Sequence, residues 1–109
     1  MRTHDPKFLN EYLFICKANI ARSATAEHVA RSMGYRADSA GWLDVITVRP
    51  VTQDQLDHAR QVVCMEESVA KEVRKQFPNT QLVVWNIPDV FKYCDPQLMT
   101  IIRAKLPPR

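Results

Sequence analysis

The chain has 109 residues, of which 46% are hydrophobic and 25% are charged, and these values suit one globular domain over residues 1 to 109, with residues 1 to 11 as an N-terminal extension. The net charge is +3 and the basic residues are scattered, which argues against a nucleic-acid surface. No apolar run reaches the roughly 18 residues of a membrane span, and none forms a secretory signal. We therefore expect a cytoplasmic protein without a membrane partner. Three cysteines without a Cys-x-x-Cys pair favour reduced thiols over a disulfide framework or a zinc site.

Apolar periodicity and chain-breaking residues predict eight segments that alternate between strand and helix. In chain order they are a strand over 12–16, a helix over 23–33 ended by Gly34, a short strand over 36–40, a weak helix over 52–59, a strand over 61–65, a helix that buries Val69, Val73 and Phe77, a strand over 81–85, and a helix capped by Asp95 with Pro96 as its first residue. Such alternation predicts an α/β domain with a parallel sheet and helices on both of its faces.

The segment between the first strand and the first helix carries the strongest chemical signal. Cys16 ends the strand, Arg22 follows six residues later, and Ser23 stands next to it where the helix begins. The residues between Cys16 and Arg22 form a tight turn whose backbone N–H groups can converge on a tetrahedral anion. Cys16 would lie beneath the phosphate as a thiolate nucleophile, and Arg22 would pair two of the phosphate oxygens. The predicted phosphate-binding loop comprises Lys17, Ala18, Asn19, Ile20, Ala21, Arg22 and Ser23.

This loop resembles the C-x-G-N-x-x-R-S loop of the low molecular weight protein tyrosine phosphatases. The similarity continues through Asp38-Ser39-Ala40-Gly41 and Val63-Cys64-Met65-Glu66-Glu67-Ser68, and the segment over 87–96 is similar to a short bacterial branch of that family. The resemblance implies a single-domain, three-layer α/β/α fold of the phosphotyrosine phosphatase I type, with a four-stranded parallel sheet in the order 2-1-3-4. That order would place the Cys16 loop at the switch point of the sheet. The resemblance also implies an enzyme that needs no metal and no cofactor.

A cysteine-dependent phosphatase also needs an acid that protonates the departing oxygen. Asp89 and Asp95 both lie in the loop after the last strand. Asp95 precedes a proline, but helix capping explains the same dipeptide. Alignment with the family places Asp89 where the family has its acid, so we predict Asp89 as the general acid and keep Asp95 as the alternative.

Two hydroxyl groups and one amide have predicted supporting roles. Ser23 would donate to the Cys16 sulfur, and Asn19 would brace the loop, because asparagine tolerates left-handed backbone angles. From the resemblance alone, Ser39 would bond to Asn19 or to the loop backbone.

Aromatic residues are predicted at the entrance of the site. Trp42 and Tyr93, together with Phe91, could clamp a flat phenyl ring above the cysteine. Packing in the core is the alternative for each of these side chains, and for Phe91 it is the preferred interpretation.

The sequence therefore predicts a phosphatase that hydrolyses a phosphorylated protein or a small phosphomonoester, with phosphotyrosine as the expected group, through a phosphocysteine intermediate. Two alternatives stay open. A phosphate- or phosphoprotein-binding module without turnover would fit Ala18, which replaces the family's glycine. An arsenate reductase on the same scaffold would need Cys64 and Cys94 to relay a disulfide.

Overall fold

Four strands and four helices alternate along the chain. A computed structural model describes residues 8–17, 21–42 and 50–108. The elements are β1 (Asn10–Cys16), α1 (Arg22–Ser32), β2 (Ala37–Gly41), α2 (Gln53–Asp57), β3 (Ala59–Cys64), α3 (Glu67–Gln76), β4 (Leu82–Val84) and α4 (Pro96–Lys105). Every predicted segment is present, and where both ends were predicted they are shifted by at most two residues.

The four strands form one parallel sheet in the order β2-β1-β3-β4, which confirms the predicted fold class and strand order. Phe14 of β1 lies between Ser39 of β2 and Val63 of β3, and β4 pairs with β3 at the edge. In this order the chain reverses its direction of travel across the sheet at β1. The carboxyl end of β1 is therefore the switch point at which ligands bind in open α/β sheets.

Side chains of β1 alternate between two apolar layers, because successive residues of a strand point to opposite faces. Tyr12, Phe14 and Cys16 pack on the face covered by α1 and α4, and Leu13 and Ile15 pack on the face covered by α2 and α3. The predicted three-layer arrangement is thus confirmed. It also places the Cys16 side chain on the α1 side of the sheet.

Backbone pairing explains why β1 starts earlier than its apolar run. Asn10 and Glu11 are polar, yet the Asn10 N–H donates to the His58 carbonyl and Asn10 pairs with Ala59. The same pairing draws Ala59 into β3, two residues before the predicted start. Apolar pattern alone marks the buried part of a strand, and the paired ends extend beyond it.

The helix ends follow local chemistry. Gly34, at φ 95°, comes directly after the C-cap of α1, where a left-handed conformation suits glycine. Asp95 caps α4 by accepting a hydrogen bond from the Gln97 N–H at 2.8 Å, and Pro96 is the first helical residue, as predicted. Within the described ranges, no helix is both long and apolar enough to cross a membrane.

Candidate active site

The carboxyl end of β1 brings the predicted nucleophile next to the start of α1. Cys16 is 3% exposed, and its Sγ lies 2.9 Å from the Ser23 Oγ, where either atom can donate. The Ser23 hydroxyl also lies 3.4 Å from the Ala40 carbonyl. If Cys16 is a thiolate, the hydroxyl can turn to donate to the sulfur, and such a charge-assisted bond stabilises the negative charge.

The ends of the predicted phosphate-binding loop are fixed, while its centre lies outside the described residues. Lys17 is exposed, Ala21 immediately precedes α1, and Ala18, Asn19 and Ile20 are the part that is not described. The Trp42 N–H contacts the carbonyls of Cys16 and Lys17, at 3.1 and 2.9 Å. No side chain caps α1 at Ala21. The start of α1 therefore offers backbone donors near the sulfur.

Arg22 is the most buried charged residue in the described part of the chain, at 2% exposure. Its Nη2 lies 2.7 Å from a carboxylate oxygen of Glu66, and its Nη1 donates to the Ile87 carbonyl at 3.0 Å. Its Nε is buried and has no hydrogen-bond partner among the described residues, and it lies 3.5 Å from the Asp89 Oδ1. The guanidinium is thus held on one side and keeps a donor for an additional acceptor.

Glu66 holds Arg22 and was missed by the sequence analysis as a functional residue. Partial burial by itself would raise the pKa of Glu66, but hydrogen bonds from Arg22 and Ser68, with the charges of Arg22 and Lys17, lower that pKa below its usual value. The Ser68 hydroxyl donates to the second carboxylate oxygen at 2.8 Å. The available signal was its place two residues after the end of β3, the strand beside β1.

The segment after β4 brings the carbonyl of Ile87 to Arg22. Asn86 has a left-handed conformation at φ 54°, which asparagine tolerates better than most residues. The chain then continues along β3, where the Ile87 N–H donates to the Met65 carbonyl at 2.9 Å. Ile87 is buried, so its carbonyl contact with Arg22 is shielded from water.

The two candidate acids occupy different places. Asp89 lies beside Arg22, and its side chain is 62% exposed at the mouth of the site. Asp95 instead uses a carboxylate oxygen to cap α4. The structure brings Asp89, and not Asp95, into contact with Arg22.

The other predicted site residues are spread around this centre. The Ser39 hydroxyl donates to Glu27 on α1 at 2.5 Å, and its predicted partner Asn19 lies outside the described residues. Trp42 is half-buried and packs edge-on against Phe77, with 6.2 Å between ring centroids. Tyr93 is 55% exposed. Phe91 is half-buried against the core, in agreement with the preferred interpretation.

The other two cysteines lie in different environments, and all three are free thiols. Cys64 is fully buried on the α3 side of the sheet, opposite to Cys16, and burial raises the pKa of its thiol to about 12. The backbone N–H of Cys94 donates to the Thr25 hydroxyl at 2.8 Å, and Cys94 is only half-buried. Among residues 8–17, 21–42 and 50–108, no three His, Cys, Asp or Glu side chains are grouped to hold a metal ion.

Comparison with solved structures reveals several similar chains. A low molecular weight protein tyrosine phosphatase from Streptococcus pyogenes superposes with a TM-score of 0.71 at 15% identity, over 87% of each chain. A low molecular weight protein tyrosine phosphatase from Campylobacter jejuni gives 0.66 at 20% identity, over 88% of this chain and 92% of the other. The arginine phosphatase YwlE, from Bacillus subtilis, gives 0.67 at 16% identity over 86% of each chain, in a variant whose active-site serine is phosphorylated.

No protein-family model matches the sequence, and no curated protein matches it. The structural similarity extends over most of the chain. The chain therefore has the fold of the low molecular weight protein tyrosine phosphatases.

Proposed function

We propose that the protein is a cysteine-dependent phosphatase that hydrolyses phosphomonoesters, with phosphotyrosine in proteins as its substrate class. The observation that carries the proposal is the state of Arg22. A buried guanidinium normally has all its donors paired, yet the Arg22 Nε has no hydrogen-bond partner among the described residues and only the Asp89 carboxylate nearby, at 3.5 Å. Arg22 begins α1, directly after the loop that follows Cys16. An anion bound above Cys16 would satisfy this donor.

The first step transfers the phosphoryl group to sulfur. The Cys16 thiolate attacks phosphorus as the bond from phosphorus to the leaving oxygen breaks, and Asp89 in its protonated form donates its proton to that oxygen. Arg22 and the N–H groups at the start of α1 would stabilise the equatorial oxygens, where charge develops. Glu66 and the Ile87 carbonyl support this step by fixing the guanidinium at 2.7 and 3.0 Å.

The second step releases phosphate and restores the enzyme. Water attacks the phosphocysteine, Asp89 accepts a proton from that water, and the bond between phosphorus and sulfur breaks with the electron pair on Cys16. Ser23 assists by donating to the departing thiolate, from an oxygen that lies 2.9 Å from the sulfur. No metal or cofactor takes part in this scheme.

The comparisons support phosphotyrosine as the substrate class and leave one alternative substrate, phosphoarginine. Of the three similar structures named above, two are protein tyrosine phosphatases and one is an arginine phosphatase. A phosphoarginine peptide therefore belongs in the first substrate panel. We place the protein in the cytoplasm on sequence grounds, as the expected site of reduced cysteines.

The two alternative functions are not equally well supported. A thiol-relay arsenate reductase is disfavoured, because Cys64 is fully buried on the opposite face of the sheet from Cys16. A binding module without turnover would use the same Arg22 and the same helix start. Only an activity measurement separates that module from the phosphatase.

The test is hydrolysis of para-nitrophenyl phosphate with a metal chelator present. We expect no turnover from Cys16→Ser, and a fall in kcat of about 10²–10⁴ from Asp89→Asn. Cys94→Ser is the control for the loss of a thiol, and Asp95→Asn is the control for the loss of a carboxylate, because asparagine also caps helices. Both controls should keep kcat within about twofold. A folded wild-type protein that binds phosphate but turns over none of the substrates would establish the binding module.

A further inference from the structure

An apolar depression of about 360 Å³ lies beside the loop that carries Asp89. It opens between that loop and the exposed side of α4. Its walls are Phe91, Pro96, Gln97, Thr100 and Ile101.

The chemistry of these walls favours an apolar occupant. None of the five side chains carries a charge, and the Thr100 hydroxyl already donates to the Pro96 carbonyl at 3.0 Å. Phe91 and Ile101 pack from below against the core, so the floor is supported by buried side chains. A guest here would gain mainly by removing its apolar surface from water.

The depression borders the loop that carries the proposed general acid. Phe91 follows Asp89 by two residues, so their Cα atoms lie within about 7 Å of each other. The Asp89 carboxylate in turn lies 3.5 Å from the Arg22 Nε. Val90 and Tyr93, which belong to the same loop, are also exposed, at 76% and 55%.

We propose that this depression binds an aliphatic or aromatic side chain of a phosphorylated protein substrate, within three residues of the phosphorylated residue. The inference rests on the proposed function, because the phosphoryl group held by Arg22 would anchor the peptide at its phosphorylated residue. An extended peptide advances roughly 3.3–3.6 Å per residue, so a side chain up to three residues away from the phosphorylated residue can reach from the site at Arg22 to Phe91. The depression would then select substrates by the residues next to the phosphate.

The test is a set of phosphotyrosine peptides in which one leucine is moved from position −3 to +3 in a serine background. We expect kcat/KM to rise about tenfold at one or two positions, which corresponds to burial of part of a leucine side chain. Thr100→Asp, which places a charge on an exposed wall, should reduce that preference below about threefold. Ala104→Asp adds the same charge to an exposed position of α4 outside the depression, and it should keep the preference.

Hydrolysis of para-nitrophenyl phosphate separates this inference from the proposed function. All three proteins should hydrolyse it equally, because this substrate has no neighbouring residues. If they do so but leucine has no effect at any position, or Thr100→Asp keeps the preference, the inference alone is overturned. A change of sedimentation mass in Thr100→Asp without a change in peptide preference would assign the depression to a second copy of the chain and also overturn it. If neither para-nitrophenyl phosphate nor any peptide is hydrolysed, both proposals fail.

Discussion

Replacing Glu66 by glutamine tests whether this carboxylate holds Arg22. Glutamine has nearly the same shape and keeps an oxygen that can accept from the Arg22 Nη2, so the change removes the carboxylate charge and leaves a hydrogen bond from the charged guanidinium. What is lost is the charge–charge attraction of the ion pair, which ranges from about 0.2–1 kcal/mol for exposed pairs to several kcal/mol for buried ones. Because the Glu66 side chain is 33% exposed, solvent screening places the loss near the low end, at about 1 kcal/mol.

The larger penalty of about 3–5 kcal/mol for an unpaired buried charge should not be reached. In the variant, Arg22 still has the Asp89 carboxylate at 3.5 Å and the Ile87 carbonyl at 3.0 Å. For a domain of this size, about 1 kcal/mol lowers Tm by about 4–8 °C. The assay is equilibrium unfolding in denaturant at pH 7, with thermal unfolding as a second measurement.

The pH dependence of the difference in stability between the wild-type protein and Glu66→Gln is the more discriminating measurement. The pKa of Glu66 is lowered in the folded protein, so its charge stabilises the fold above the usual pKa of 4.5, and this stability is lost as the pH falls through the folded-state pKa. Protonated Glu66 resembles glutamine, and the difference between the two proteins should therefore shrink below about pH 4.5. Glu67→Gln is the control, because Glu67 is 69% exposed and its ion pair with Arg74, at 3.4 Å, is screened by solvent. This change should lower the free energy of unfolding by less than about 0.5 kcal/mol. A deficit for Glu66→Gln that stays constant from pH 7 to pH 3.5, or that equals the control's, would refute the reasoning.

Three further predictions concern other residues of the site and its surroundings. Ser23→Ala should lower kcat by about ten to a hundredfold, because a hydrogen bond to the departing thiolate is lost, and an unchanged kcat would contradict the role of the hydroxyl. Asp95→Ala should destabilise the protein by about 1 kcal/mol in denaturant unfolding while kcat stays within about twofold, whereas a large loss of kcat would make Asp95 the acid. Cys64 should resist iodoacetamide at pH 8 in the native protein and react once the chain is unfolded, because burial raises its thiol pKa to about 12. Alkylation of Cys64 in the native protein, detected by mass spectrometry, would show that the buried position is wrong.

The sequence predicted those features of the fold that depend on neighbouring residues. The pair of Asp95 and Pro96 marked the start of α4, and Gly34 marked the end of α1, because capping and left-handed angles are local requirements. Alternation of strand and helix gave the parallel sheet. The strand order needed the family resemblance, since periodicity says which segments are strands and nothing about which strands are neighbours.

Contacts between distant segments were beyond the sequence analysis. Arg22 and Glu66 are 44 residues apart, and they meet only because β3 lies beside β1. The hydroxyl of Ser39 donates to Glu27, a contact that follows from the packing of α1 over β2. The roles of Cys16, Arg22 and Asp89 remain predictions, now with a geometry in which each can be tested.

The contacts of Arg22 have a consequence for the interpretation of related sequences. Its guanidinium joins the segments that follow β3 and β4, through Glu66 and Ile87, so the residue stabilises the carboxyl end of the sheet whether or not a ligand binds there. A descendant that had lost its chemistry would still need this arginine in order to fold well. Retention of Arg22 in a relative is therefore weak evidence for activity. Substitution of Cys16 or Asp89 leaves the contacts of Arg22 with Glu66 and Ile87 in place. These two positions could therefore change, with loss of activity, while the fold stays stable.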